Sequence, residues 1–284
     1  MALPQEPRPG AEKGSLVWHD LDDVGRAADL TKLGEEVHLW LFALTATDTG
    51  GGSDAELLSS DEAARAARFR RDRDRQRFTK GRATMRRILA SYLGANPAAL
   101  GFAYGAAGKP ELDGLQADGG LRFNLSHSED LALLAVTRGR HLGVDLECIR
   151  AARDLSAIAR RFFAPAEAAA LAGFAPPLYE QAFFAIWARK EALLKAFGAG
   201  LSLPLHGFCV SADPREPAQL VSTAFRPAEA RRWSLMDVSL EPPMQRFRAA
   251  LAIEGPLPQC RYFRLGIGPA SGSVNRAKSS SADC

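Results

Sequence analysis

The chain has 284 residues, 46% of them hydrophobic and 24% charged, and a net charge of only +3. This is the balance of an ordinary soluble globule with apolar material for one large or two medium domains. Cys148, Cys209, Cys260 and Cys284 lie far apart and form no C-x-x-C pair, so neither a zinc site nor a disulfide framework is indicated. Residues 1–14 are polar and lack the apolar core of a signal peptide. The longest apolar runs, near 39–44 and 131–136, are strand-sized and too short to span a bilayer. A cytoplasmic protein with no membrane partner is expected.

In chain order, the pattern predicts a strand near 37–43, then a loop over 45–53 broken by Gly50-Gly51-Gly52. Helices follow around 54–58, 62–69 and 73–93. Ten Lys and Arg residues between Arg68 and Arg87 face only Asp72 and Asp74, while Phe69, Phe78, Met85, Ile88, Leu89 and Leu93 recur near helical spacing. That combination predicts an amphipathic helix with a basic outer side. Hairpin-like strands are expected near 122–125 and 131–137, with Arg138-Gly139-Arg140 as a turn, and a further strand carries Asp145. Helices near 155–162, 165–172 and 179–197 come next. On the last, Phe183, Ile186, Trp187, Leu194 and Phe197 form a buried stripe with Glu191 and Lys195 at its border. Strands near 207–211, 234–239 and 249–253 would complete a second sheet, and the Ser-rich tail is expected to be disordered.

Four segments carry chemistry. In Trp187-Ala188-Arg189-Lys190-Glu191-Ala192-Leu193-Leu194-Lys195-Ala196-Phe197-Gly198, Glu191 and Lys195 project from one side of a helix, one turn apart. In Gly143-Val144-Asp145-Leu146-Glu147, Asp145 and Glu147 share one face of a strand and Val144 and Leu146 take the other. Alone, these are an ordinary helical ion pair and the solvated face of an edge strand. If they meet, three carboxylates and an ammonium converge. All-oxygen ligation then suits a hard divalent ion such as Mg²⁺, and the lysine suits a phosphate.

The third segment, Phe123-Asn124-Leu125-Ser126-His127-Ser128, reads as a half-buried strand entering a polar turn with hydroxyl and imidazole donors. Ser126 and His127 are neighbours on a strand and point to opposite faces, and no G-x-S-x-G elbow surrounds Ser126, which argues against a hydrolase. The fourth, Gly105-Ala106-Ala107-Gly108-Lys109-Pro110-Glu111-Leu112, offers glycines and a cation. It is no P-loop, because Pro110 stands where that motif needs a hydroxyl.

Taken in order, G-K-P, N-L-S-H-S, G-V-D-L-E and W-x-x-K-E-A-x-x-K-x-x-G resemble the 4′-phosphopantetheinyl transferases of the long, surfactin-synthetase-activating (Sfp-type) branch. The resemblance extends from about Arg65 to Leu201, with L-S-L-P-L at its end. It implies an α+β fold of two similar halves related by a pseudo-twofold, acting as a monomer with coenzyme A in the cleft between them. The halves would be residues 1–141, of which the first fifteen or so are flexible, and residues 142–268 with the metal site; residues 269–284 would form the tail.

The resemblance also implies roles. Asp145, Glu147 and Glu191 match the Mg²⁺ ligands, and Glu191 the proposed general base. Lys195 matches the lysine on the coenzyme A pyrophosphate. Asn124, Ser126 and His127 match the segment at the nucleotide's phosphate end, and Lys109, within Gly108-Lys109-Pro110, a lysine beside the adenine nucleotide. Arg65 falls where a cation for the 3′-phosphate is expected, and Lys190 is assigned only a carrier or phosphate contact. The basic helix would serve the coenzyme's phosphates or an acidic carrier-protein helix rather than nucleic acid.

The implied reaction is Mg²⁺-dependent transfer of the phosphopantetheine arm from coenzyme A to a serine of an apo acyl or peptidyl carrier protein, releasing 3′,5′-ADP. Fatty-acid, polyketide and nonribosomal-peptide carriers all qualify. Two other readings of the same residues are a different metal-dependent phosphotransferase or nuclease, and a non-catalytic coenzyme A-binding protein on the same fold.

Overall fold

The computed structural model describes residues 18–21, 33, 36–45, 53–105, 108–114, 117, 120–150, 154–198, 203–224, 230–241 and 244–267. The expectations for residues 1–14, the three glycines at 50–52 and the tail lie outside the described residues.

The elements begin with strands β1 (Trp18–Leu21) and β2 (Val37–Ala43) and helices α1 (Ser60–Ala67) and α2 (Asp72–Leu93). Strands β3 (Phe102–Tyr104), β4 (Pro110–Leu112), β5 (Leu121–Ser128), β6 (Leu131–Arg138) and β7 (Leu142–Cys148) follow. Next come helices α3 (Leu155–Phe162), α4 (Pro165–Ala172) and α5 (Leu178–Phe197). Strands β8 (Phe208–Val210), β9 (Leu220–Thr223), β10 (Trp233–Asp237), β11 (Phe247–Glu254) and β12 (Cys260–Leu265) complete the order.

The fold is α+β, with two main sheets. One has five strands in the order β1-β12-β2-β6-β5, and the other three in the order β10-β11-β7. Each strand of β2 and β6 is apolar on both faces because both faces are covered. Trp40, Phe42, Leu134 and Val136 share a core with Met85, Ile88 and Leu89 of α2. On the other face, Leu39, Leu41, Leu133 and Ala135 share a core with Val144, Leu146, Leu251 and Ile253 of the second sheet. Helix α5 then covers the second sheet's far face, with Ile186, Leu193 and Leu194 in one cluster with Leu235, Ala250 and Ala252. The layers run helix, sheet, sheet, helix, so β7 is held between the first sheet and α5.

Several expectations change here. Strand β8 does not join the second sheet; it pairs with β9 in a separate hairpin. Polar anchors hold it there, since Lys190 Nζ donates to the Phe208 carbonyl at 2.6 Å and the Val210 amide donates to Glu167 at 2.7 Å. The second sheet takes β7 instead, in antiparallel register with β11. Strand β12 crosses back into the first sheet and runs parallel to both β1 and β2. The outer side of α2 is not a purely solvated basic face. Arg86 is fully buried on Glu62 at 2.7 Å, Arg77 and Lys80 lie 2.5 and 3.3 Å from Asp130 and Asp54, and Arg82 is buried. Nor is α5 buried along one stripe. It is enclosed on nearly every side, Arg189 and Lys190 included, while Trp187 and Phe197 are only partly buried.

Candidate active site

Strand β7 alternates as its sequence requires, with Val144 and Leu146 in the inter-sheet core and Asp145 and Glu147 on the opposite face, toward α5. The face toward α5 also carries Gly143, and the approach there leaves no room for a side chain. A Cβ on Gly143 would stand 2.2 Å from the Ala192 carbonyl oxygen and 2.4 Å from the Ala196 nitrogen. The glycine therefore lets the strand and helix touch backbone to backbone, which brings Lys195 onto Asp145 with Nζ to Oδ1 at 2.6 Å. Gly198, in the left-handed conformation with φ of 67°, ends α5 one residue beyond Phe197.

The β5 segment reaches the same place from the first sheet. Asn124 Oδ1 accepts from the Val144 amide at 2.8 Å, Ser126 Oγ from the Leu146 amide at 3.2 Å, and Ser128 Oγ from the Cys148 amide at 3.0 Å. Three alternate side chains of β5 thus satisfy three alternate amides on the free edge of β7, in place of a backbone ladder. Ser126 goes further. Its hydroxyl donates to Asp145 Oδ1 at 2.9 Å and accepts from Lys195 Nζ at 2.9 Å. Asn124 and Ser126 are both buried, and His127 faces solvent on the other side, as the strand alternation predicts.

The electrostatics are those of crowded acids. Burial first, then Asp145, pushes the Glu147 carboxyl up to about 7. Glu191 is also raised, by burial and then by Asp145, with Lys195 opposing. Asp145 is 3% exposed and its Oδ2 is buried without a hydrogen-bond partner. An orphaned carboxylate oxygen beside two carboxyls of raised basicity fits a hard divalent cation. Among the described residues no group of three or more His, Cys, Asp or Glu side chains is placed to hold a metal ion by itself. Lys195 occupies the other oxygen of Asp145, and Mg²⁺ characteristically takes few carboxylates with waters and substrate phosphates completing its shell.

The remaining expected residues separate into two groups. Lys109 does reach the site, but its Nζ donates to the carbonyls of Leu142 at 2.8 Å and Lys195 at 2.9 Å; burial lowers its pKa to about 8. Gly108, with φ of 75°, and Pro110 set the turn that carries it. Arg65 is exposed at the end of α1, its guanidinium 5.5 Å from the Phe78 ring centroid. Arg82 lies 5.5 Å from the same centroid and 5.8 Å from that of Tyr104, and its Nη1 is buried without a hydrogen-bond partner. Although part of the His127 ring reaches solvent, the protein atoms crowded around it, then Lys195 and Arg77, with a smaller part from Arg82, lower its basicity. Arg77 and Arg82 thus add positive charge on the His127 side, although Arg77 is paired with Asp130 at 2.5 Å and Arg82 Nη1 lies 3.7 Å from Glu62 Oε1.

Lys190 is not available to a ligand. It is fully buried, 2.8 Å from Glu167 Oε2, and donates to the carbonyls of Leu205 and Phe208. Arg189 is likewise enclosed, donating to Asp237 Oδ1 at 2.9 Å and to the Ser211 carbonyl at 2.6 Å. Within one motif, then, Arg189 and Lys190 secure the helix and Glu191 and Lys195 face the acids.

Crowded carboxylates beside a lysine, with one buried carboxylate oxygen left unpartnered, have the chemistry of a phosphoryl-group transferase. Comparison with known proteins gives that class its family. Residues 141–252 match the profile of the 4′-phosphopantetheinyl transferase superfamily, and residues 53–139 match that of the 4′-phosphopantetheinyl transferase N-terminal domain. The 4′-phosphopantetheinyl transferase HetI of Nostoc sp. is 41% identical over 227 residues, covering 80% of this chain and 91% of that protein. A 4′-phosphopantetheinyl transferase of Bacillus subtilis is 32% identical over 153 residues, 54% of this chain and 66% of that one. A phosphopantetheinyl transferase of Thraustochytrium sp. is 31% identical over 161 residues, 52% of this chain and 55% of that one. The chain belongs to the 4′-phosphopantetheinyl transferase family and is an enzyme of that kind. None of the helices among the described residues is long and apolar enough to cross a membrane.

Proposed function

We propose that this chain transfers the phosphopantetheine arm of coenzyme A to a serine of apo acyl or peptidyl carrier proteins, using Asp145, Glu147 and Glu191 to hold Mg²⁺. The observation that carries this is the unpartnered Oδ2 of buried Asp145, next to a Lys195 ammonium and two carboxyls of raised basicity. When bound there, the cation would supply neutralisation of the charge that builds on the 3′,5′-ADP phosphate as the pyrophosphate bond of coenzyme A breaks.

The chain's own residues do the rest. Glu191, whose basicity burial has raised, accepts the proton of the carrier serine hydroxyl. The serine oxygen forms a bond to the phosphorus next to the pantetheine arm, and the bond from that phosphorus to the leaving 3′,5′-ADP oxygen breaks. Lys195 is held at the site by Asp145 and Ser126 and stabilises the departing phosphate. His127, Arg65 and Arg82 supply donors and positive charge for the nucleotide's phosphate end, next to the turn of Gly108 and Pro110. Asn124 places this strand against β7.

Residues 1–141 and 142–268, the second of which returns β12 to the first sheet, act as two related halves of a monomer in the cytoplasm, with the substrate between them. Carriers of fatty-acid, polyketide or nonribosomal-peptide synthesis are the partner class.

The test is intact-protein mass spectrometry of an apo carrier protein incubated with the enzyme, coenzyme A and Mg²⁺. A gain of one phosphopantetheine, abolished by chelation, is expected. Unimpaired transfer by Asp145→Ala or Glu191→Ala would remove the assignment.

A further inference from the structure

We infer that Lys109 is a positioning residue, which clamps the start of β7 to the last turn of α5 and so sets the spacing between Asp145 and the α5 side chains. The two carbonyls it grips belong to Leu142 and Lys195, at 2.8 and 2.9 Å. Leu142 directly precedes Gly143. The Lys195 carbonyl carbon would lie only 2.9 Å from a Cβ on that glycine. The ammonium therefore sits at the backbone-to-backbone crossing of strand and helix. Lys195 is held twice, its carbonyl by Lys109 and its own ammonium by Asp145.

Each feature of the contact suits a clamp. An ammonium has three donors, and two are spent on carbonyls of different elements. One of these is among the last carbonyls of α5, where the helix dipole is negative and a cation is favoured. The lysine arrives from the β3–β4 turn, so a first-half loop fixes the relation of two second-half elements. A lysine whose task was to bind a nucleotide would direct its N–H groups outward, whereas this half-buried one turns its ammonium onto two backbone carbonyls, and its basicity is lowered accordingly.

The inference rests on reading Asp145 and Lys195 as the machinery of transfer, and it is tested by two measurements that fail separately. The first is kcat and KM for coenzyme A with an apo carrier protein, together with calorimetric coenzyme A affinity. For Lys109→Met, kcat should fall by about 100-fold, as for a misplacement near 1 Å, while affinity stays within about threefold. Lys109→Arg, which keeps the donors, should recover at least a tenth of the wild-type kcat. The second is hydrogen exchange of the free enzyme, in which amides of 142–146 and 193–198 should exchange faster in Lys109→Met. This readout does not depend on catalysis. A tenfold or greater loss of coenzyme A affinity with kcat and exchange unchanged would make Lys109 a ligand contact and overturn the inference, as would wild-type behaviour in both assays. Should Lys109→Met not fold, Lys109→Gln, with a shorter arm and two N–H donors, carries the same comparison.

Discussion

Gly143 and Ala192 lie so close that a Cβ on the glycine would stand 2.2 Å from the alanine's carbonyl oxygen. The atom in the way is helix backbone, which cannot rotate aside as a side chain would. Gly143→Ala must therefore lift α5 off β7 and separate Lys195 from Asp145. Overpacking of this kind costs about 1–3 kcal/mol, and here it falls on the catalytic spacing as well. Urea unfolding should show that loss, and transfer activity should drop by more than the folded fraction accounts for. Retained activity at wild-type stability would mean the crossing is looser than described.

Asn124 and Ser126 perform separable tasks along one strand. Asn124→Ala leaves the Val144 amide buried and unpaired, a loss of about 1–3 kcal/mol, without touching a carboxylate. Ser126→Ala leaves the Leu146 amide unpaired in the same way and also removes a partner from both Asp145 and Lys195. Both should lower stability, but only the second should lower kcat. Denaturation curves and steady-state rates on the two variants check this; equal effects on both quantities would show that the hydroxyl has no special role.

Lys190 tests the division of labour within the α5 motif. Removing one partner of a buried ion pair costs roughly 3–5 kcal/mol, and Glu167 here also accepts from the amides of Ala164 and Val210. Lys190→Met should therefore lower the melting temperature sharply, while the turnover of the remaining folded enzyme is unchanged. Replacing both Lys190 and Glu167 by apolar residues should not restore stability, because the two amides would be left unpaired. A Lys190→Met enzyme of normal stability and reduced turnover would assign this lysine to the substrate.

Glu147 links metal use to pH. Its folded carboxyl is raised to about 7 from an ordinary value of 4.5. The metal-free protein thus gains stability from this group below pH 4.5 and loses it as the pH rises through 7. Cation binding needs the ionised form and runs the other way. The Mg²⁺ concentration for half-maximal transfer should fall by up to about tenfold per unit as the pH rises toward 7, then level off. Glu147→Gln should flatten that dependence. A metal requirement independent of pH between 6 and 8 would exclude Glu147 as a ligand.

Much of the fold was legible because its signals are local. Strand β2, helices α3 and α4 and the alternation of β7 follow from periodicity and turn chemistry within a few residues. Strand β9 escaped because it is only four residues long, and β1 and β12 because their pairing is distant; β12 lies between two strands from the opposite end of the chain. The candidate site was legible as residue types in order, and Asp145, Lys195 and Ser126 do meet. The direction of each side chain was not legible. Lys109 read as a lysine beside the adenine nucleotide and Lys190 as a carrier or phosphate contact, yet both turn inward onto carbonyl oxygens.

The sequence by itself determined the class of chemistry through the order of four segments that together resemble one family, since each segment alone has an ordinary structural use. Only the tertiary structure decided which charges remain available to a substrate. A charge's role depends on what neutralises it, and those partners lie 50 residues from Lys195, 23 from Lys190 and 86 from Lys109, brought together by packing alone.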